Sequence, residues 1–504
     1  MAVKHFRLNV LVSVATTLLI IIPTYNCQII IPTTSGLVSG KTITTNSVNV
    51  VAYLGIPYAR PPINQLRFKP PVPVSPWNGV LNATQYQYSC PQRMPLFLLD
   101  PKSRSGQINE DCLYLNIFTT TPSKAGNMSV LVDIHGGAFY SGTGARGYGQ
   151  MFAAHEGVVV VTINYRLGVL GFMSSGESDI NQRAIQANLG LQDQSLALKW
   201  IYDNIENFGG NPDLVTIAGN SAGGLSVAYH LVMPTSKGLF RGAIMQSAPF
   251  GVIPSYLQAA LTLPPTLPLA GFAFQRFSAA ANCSSNTSSE ITTCLQALPL
   301  DRIMKVQNAL QQLLPILTSP VPDGSTISEP LYTAIPAGRF HKVPVITGTT
   351  LNDGYFFLTF INDVANGISR QRYLSLVHDV FRTASQRIKL SIEYQYTNWS
   401  NINSPLSNRD QYGELATYYV FAVPNQYFTD QFSRYVPTYT YVFAHRTNDT
   451  WEPHFVKISH AMEIPYVLGI PLDKPPIYPT SFTTQEVELS RDIMSYWGNF
   501  VRNG

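Results

Sequence analysis

Residues 208–233 read FGGNPDLVTIAGNSAGGLSVAYHLVM. Within them Leu214–Ala218 (LVTIA) is apolar and β-branched, which predicts a buried strand, and the preceding Phe-Gly-Gly-Asn-Pro is a breaker. After Ser221 the run AGGLSVAYHLVM carries the apolar spacing of a helix. A serine between a strand and a helix, with glycines two before and two after, sits on a sharp turn. Its small neighbours let the backbone bend, the turn pushes the hydroxyl outward at the carboxyl end of a parallel sheet, and the helix N-terminus aims N–H groups at developing negative charge. The same letters could form a glycine-rich packing turn. The flanking strand and helix favour a nucleophile at Ser221.

Working outward, VLVDI (130–134) and VVVVTINY (158–165) read as strands buried on both faces, since they barely alternate. QDQSLALKWIYDNIEN (192–207) spaces Leu196, Trp200, Ile201 and Ile205 as one helical face. Further strands are expected at Gly242–Gln246, Val343–Thr347 and Tyr439–Phe443. Alternation of this kind gives βαβ units, hence an α/β fold with a large, mostly parallel central sheet and helices on both faces. DIHGGAFYSG (133–142) follows a strand directly. Gly136 and Gly137 can present backbone N–H groups with no Cβ in the way, and the N–H of Ala222 is a third donor, so these three are the expected oxyanion hole. His135 beside them is read as orienting the loop.

The 504 residues carry a net charge of +4 spread over only 12% charged residues. Without a basic run, nucleic-acid binding and electrostatic membrane attachment get little support. Lys4 and Arg7 precede an apolar run from Val10 to Ile22, too short to span a bilayer, so residues 1–27 read as a secretory signal peptide in preference to a signal anchor. Residues 28–504 then form one domain, with no other segment of transmembrane character. Four cysteines remain beyond Cys27: Cys90, Cys112, Cys283 and Cys294. They imply two disulfides with three possible pairings, of which sequence neighbours are the simplest. No close Cys or His spacing speaks for a metal. Sequons at Asn82, Asn127, Asn282, Asn286, Asn398 and Asn448 are candidate glycosylation sites in a secreted chain.

AYLGIPYARPP (52–62), EDCLYLNIF (110–118), HGGAF (135–139), NYRLG (164–168) and FGGNPDLVTIAGNSAGG (208–224) together closely resemble the type-B carboxylesterase and lipase family, which includes the cholinesterases. The resemblance implies the α/β-hydrolase fold and supports the neighbouring pairs Cys90–Cys112 and Cys283–Cys294. It also implies a serine–acid–histidine order. Of the histidines after Ser221, His460 in ISHAMEIPYVLG resembles the family's catalytic segment, although the usual following glycine is Ala461 here. His445 in FAHRTND matches a position where the family keeps a buried, non-catalytic histidine. Asp353 in LNDGYFF stands where most relatives have Glu, with Glu329 and Asp363 as rival acids and a turn-capping role as the alternative.

These residues imply acyl transfer to water: His460 takes the proton of Ser221, Asp353 holds the imidazole, and Gly136, Gly137 and Ala222 hold the oxyanion, with no cofactor. Adhesion and storage members of the family lack part of this triad; all three residues are present here. Two features point to neutral esters and away from choline, and a third bears on acyl length. The loop between Cys90 and Cys112 has no tryptophan to hold a quaternary ammonium and carries Arg93, Lys102 and Arg104. Asn220 stands where cholinesterases carry a glutamate. LLPILTSP (313–320), which resembles the acyl-pocket region, is aliphatic with no Phe, which implies room for acyl groups longer than acetyl. The segment ending at Gly504 resembles one after which relatives usually continue.

Overall fold

The computed structural model describes residues 29–93, 106–123, 126–146, 149–250, 266–310, 317, 319–382, 384–450, 452–473 and 481–504. The signal-peptide segment, Lys102, Arg104 and most of 313–320 lie outside the described residues.

The strands in chain order are β1 (Ile30–Thr33), β2 (Gly36–Ser39), β3 (Lys41–Thr45), β4 (Val48–Pro57), β5 (Val80–Asn82) and β6 (Tyr114–Thr119), followed by β7 (Met128–Ile134), β8 (Val159–Ile163), β9 (Gly210–Asn220), β10 (Gly242–Gln246), β11 (Val345–Thr350) and β12 (Thr438–Phe443). A nine-stranded sheet has the order β12-β11-β10-β9-β7-β8-β6-β4-β3, and β1-β2-β5 form a small second sheet. From β12 through β8 neighbouring strands are parallel; β6, β4 and β3 add an antiparallel flank.

Alternation of side chains explains why the central strands read as unbroken apolar runs. Val130, Val132, Ile134, Val161 and Ile217 enter one core, against Leu198 and Ile201 of the helix Leu189–Asn204. Leu131, Val160, Ala218 and Ile244 enter the opposite core, against Met151 and Phe152 of the helix Gly149–Glu156 and Met494 and Trp497 of the helix Thr484–Asn503. Several boundaries differ from the sequence reading, among them β7, which begins at Met128, and β11, which spans Val345–Thr350 where Val343–Thr347 is expected. The helix expected from Gln192 begins at Leu189, because Leu189 and Leu191 are buried and Gly190 packs closely: a Cβ there would lie 2.6 Å from Arg166 O. Strand β9 begins at Gly210, which pairs with Met128 before the register slips.

β7 lies between β8 and β9, so consecutive strands after β7 go to opposite sides of it. The carboxyl ends at such a switch point leave a crevice. His135-Gly136-Gly137 leaves β7 there, and Ser221 leaves β9 beside it. Disulfides join Cys90 to Cys112 and Cys283 to Cys294.

Candidate active site

Ser221 has φ 59° and ψ −123° and stands immediately before the helix Ala222–His230. A side chain in that conformation is strained, by about 1–3 kcal/mol. Close packing holds it: Ser221 N–H donates to Gln246 O at 2.8 Å and Ser221 O accepts from Leu225 N–H at 2.9 Å. The glycines around it are demanded by backbone approach. A Cβ on Gly223 would meet Ile134 O at 1.9 Å, and one on Gly219 would meet Gly223 C at 2.4 Å. Ala222 opens the helix, where backbone N–H groups have no partner within the helix itself.

The loop after β7 lies against this turn. A Cβ on Gly136 would sit 2.5 Å from Asn220 O and 3.1 Å from Ser221 Cβ, so only glycine brings the two backbones this close. Gly137 has φ +116°, and its carbonyl accepts from Ser141 N–H at 3.0 Å, turning the loop back on itself. His135 is buried, its ring stacked on Tyr165 at 4.3 Å, while Tyr165 Oη donates to His135 O. That is the loop-orienting part read from the sequence. Gly136 therefore lies directly against Ser221, with Gly137 and Ala222 next to them in the chain.

Asp353 follows β11 and is fully buried. Its Oδ1 lies 2.5 Å from His460 Nδ1, and its Oδ2 accepts from Ser247 Oγ at 2.6 Å and Thr350 N–H at 2.9 Å. The His460 ring is covered by Phe421 at 5.0 Å and Phe356 at 5.4 Å. Burial alone would lower the imidazole pKa; the charge and hydrogen bond of Asp353, helped by Glu463 and Glu452, more than offset this and hold it above 6.5. Ala461 has φ +68°, which explains why glycine is usual after the histidine.

The rival assignments sit elsewhere. Glu329 makes a bidentate pair with Arg339, and Asp363 is exposed in a left-handed turn. His230 is fully buried between Ser236 Oγ and Gln194 Oε1, and burial pushes its pKa down to about 3. His341 meets Met233 O, His378 approaches Glu393, and His454 is exposed. His445 pairs with Glu486 and is not buried: 39% of its side chain is accessible.

Sequence reasoning missed two members of the site. Ser247 belongs to the loop after β10, and nothing local marks it as a partner of Asp353. Glu463 is buried three residues after His460; its Oε1 accepts from Asn220 Nδ2 at 3.0 Å and Gln246 Nε2 at 3.4 Å, while its Oε2 has no partner. Burial, then the charge of Asp353, raises its pKa to about 7. The spacing from His460 was the only available signal. No group of three His, Cys, Asp or Glu side chains among the described residues could hold a metal ion.

A family model described as "Carboxylesterase family" matches residues 28–504. The chain is 34% identical to a cholinesterase of Mus musculus and 31% identical to an acetylcholinesterase of Leptinotarsa decemlineata. Each match covers 94% of this chain and 79% of the relative.

Proposed function

This chain belongs to the carboxylesterase family, and we propose that it hydrolyses uncharged carboxylic esters outside the cell through an acyl-enzyme on Ser221. Membership makes it a carboxylic ester hydrolase. The observation that carries the finer reading is the 2.5 Å contact between His460 and the fully buried Asp353, tied to the strained turn of Ser221 through Gln246, whose carbonyl accepts from Ser221 N–H, and Ser247, whose hydroxyl donates to Asp353.

His460 Nε2 accepts the proton of Ser221 Oγ as it attacks the ester carbonyl. Nδ1–H donates to Asp353, which fixes the tautomer and stabilises the imidazolium that forms. The oxyanion is held by the N–H groups of Gly136, Gly137 and Ala222. His460 returns the proton to the leaving alcohol, and water repeats the sequence on the acyl-enzyme. Placement outside the cell is supported by the reading of residues 1–27, by the two disulfides and by the exposure of all six sequon asparagines. Asn220, engaged with Glu463 and carrying no charge, supports uncharged alcohols over choline.

Labelling with a fluorophosphonate, followed by peptide mapping, tests this. The expected result is one adduct, on Ser221, absent from Ser221→Ala, which should fold normally and lose ester hydrolysis by about 10³-fold or more. An unlabelled, folded parent would instead favour a non-enzymatic binding protein built on the same fold.

A further inference from the structure

Lys457 stands three residues before His460 and has φ 53° and ψ −130°. This is a turn conformation that suits glycine, and a lysine persists there only if surrounding contacts over-determine it. Its ammonium supplies them. Lys457 Nζ donates to Tyr355 Oη at 2.6 Å and lies 3.8 Å from carboxylate oxygens of both Asp410 and Glu414. Tyr355 is fully buried and stands two residues after Asp353. Its ring is packed so closely on the helix Pro405–Ala416 that a Cβ on Gly413 would meet it at 2.8 Å, and its Oη lies 3.0 Å from both Asp410 O and Glu414 Oε1.

A second tie runs in parallel. Asn352 N–H donates to Ile458 O at 3.0 Å, and Ile458 N–H to Asn352 Oδ1 at 3.4 Å. The segments 352–355 and 457–460 are thus joined at two points, and each carries one member of the Asp353–His460 pair.

We infer that Lys457 and Tyr355 are positioning residues for the hydrolytic reaction, a charge-assisted latch that keeps the loop of His460 in register with Asp353. This rests on the assignment of His460 as the base. Neither residue touches the reacting atoms; both act through where the imidazole sits. A register error of about 1 Å can cost a reaction up to about 10²-fold, so loss of one hydrogen bond in the latch should cost about tenfold.

The test uses p-nitrophenyl butyrate hydrolysis and the rate of fluorophosphonate labelling of Ser221, in the full chain. Tyr355→Phe and Lys457→Met should each lower kcat and the labelling rate about tenfold while KM stays within about twofold. Lys457→Gly removes the ammonium and relieves the turn; it should melt no lower than the parent and still lose kcat about tenfold. Lys457→Arg should recover most of the loss. His460→Ala separates the two readings. If it is not labelled while the latch variants keep parental kcat and labelling, the latch is refuted and the base assignment stands. If it is labelled as fast as the parent, the base assignment falls and the latch with it. A fall in KM or melting temperature alone, without loss of kcat in Lys457→Gly, also refutes the latch.

Discussion

Asp353→Asn is the substitution whose outcome the geometry specifies most closely. One carboxylate oxygen accepts from the Thr350 N–H at 2.9 Å and from Ser247 Oγ at 2.6 Å, and the other faces His460 Nδ1 at 2.5 Å. A backbone N–H cannot become an acceptor, so the asparagine oxygen must keep the Thr350 side and its NH₂ must face the imidazole. The amide then donates to Nδ1, the ring proton moves to Nε2, and His460 can no longer take the proton of Ser221. A wrong tautomer in a serine triad lowers kcat by about 10³ to 10⁴, which is about 4–5.5 kcal/mol of barrier at about 1.36 kcal/mol per tenfold. Steady-state hydrolysis of p-nitrophenyl butyrate measures this, with circular dichroism and melting read in parallel to separate lost chemistry from lost fold. Retention of more than about a tenth of parental kcat in a folded variant refutes the tautomer reasoning. Equal sensitivity at Glu329 or Asp363 would refute the choice of acid; both lie on the surface, so Glu329→Gln and Asp363→Asn should be near neutral.

The remaining expectations concern pH and substrate. With His460 in the proposed role of neutral base and its pKa held above 6.5 by Asp353, the acid limb of kcat/KM should lie above pH 6.5; a limb well below that would detach Asp353 from His460. Glu463 has its folded pKa raised from 4.5 to about 7, so the unfolded chain ionises first and stability falls as pH rises through that window. Glu463→Gln keeps the oxygen that Asn220 needs and removes this loss, so its melting temperature relative to the parent should climb between about pH 4.5 and about pH 7; a flat difference refutes the assignment. In a matched set of acetyl and butyryl esters, kcat/KM should favour the uncharged alcohol, and a tenfold preference for choline (about 1.4 kcal/mol) would overturn that reading.

Legibility of the fold followed burial only in part: β4 and β6 are buried along most of their length and were not read as strands, while β12 is largely accessible and was. Strands β7 through β12 were recognisable because most are covered on both faces and so read as apolar runs bounded by breakers. β3 (KTITT) is largely exposed at the antiparallel flank, and β1, β2 and β5 are three or four residues long. Such strands are made by pairing, not by their own composition, and left no signal strong enough to read.

The candidate site divides along a different line. Ser221, Gly136 and Gly137 could be found because the chemistry needs small residues next to one another in sequence. Asp353 and His460 are 107 residues apart, and only a resemblance tied them together. Ser247 and Glu463 were invisible because their partners come from other segments and meet only once the sheet is assembled. Backbone conformation was hidden in part. Ser221, Lys457 and Ala461 all have positive φ without being glycine; the sharp turn at Ser221 and the glycine usual at position 461 were signals, whereas nothing local marks Lys457. Local rules fail where tertiary contacts override them, and here three such failures fall within the two segments that carry the proposed nucleophile and its proposed base. The strain is therefore sited where fixed placement of Ser221 and His460 matters most, and the contacts that oppose it, from Gln246 at the serine and from Tyr355 at Lys457, belong to elements outside either segment.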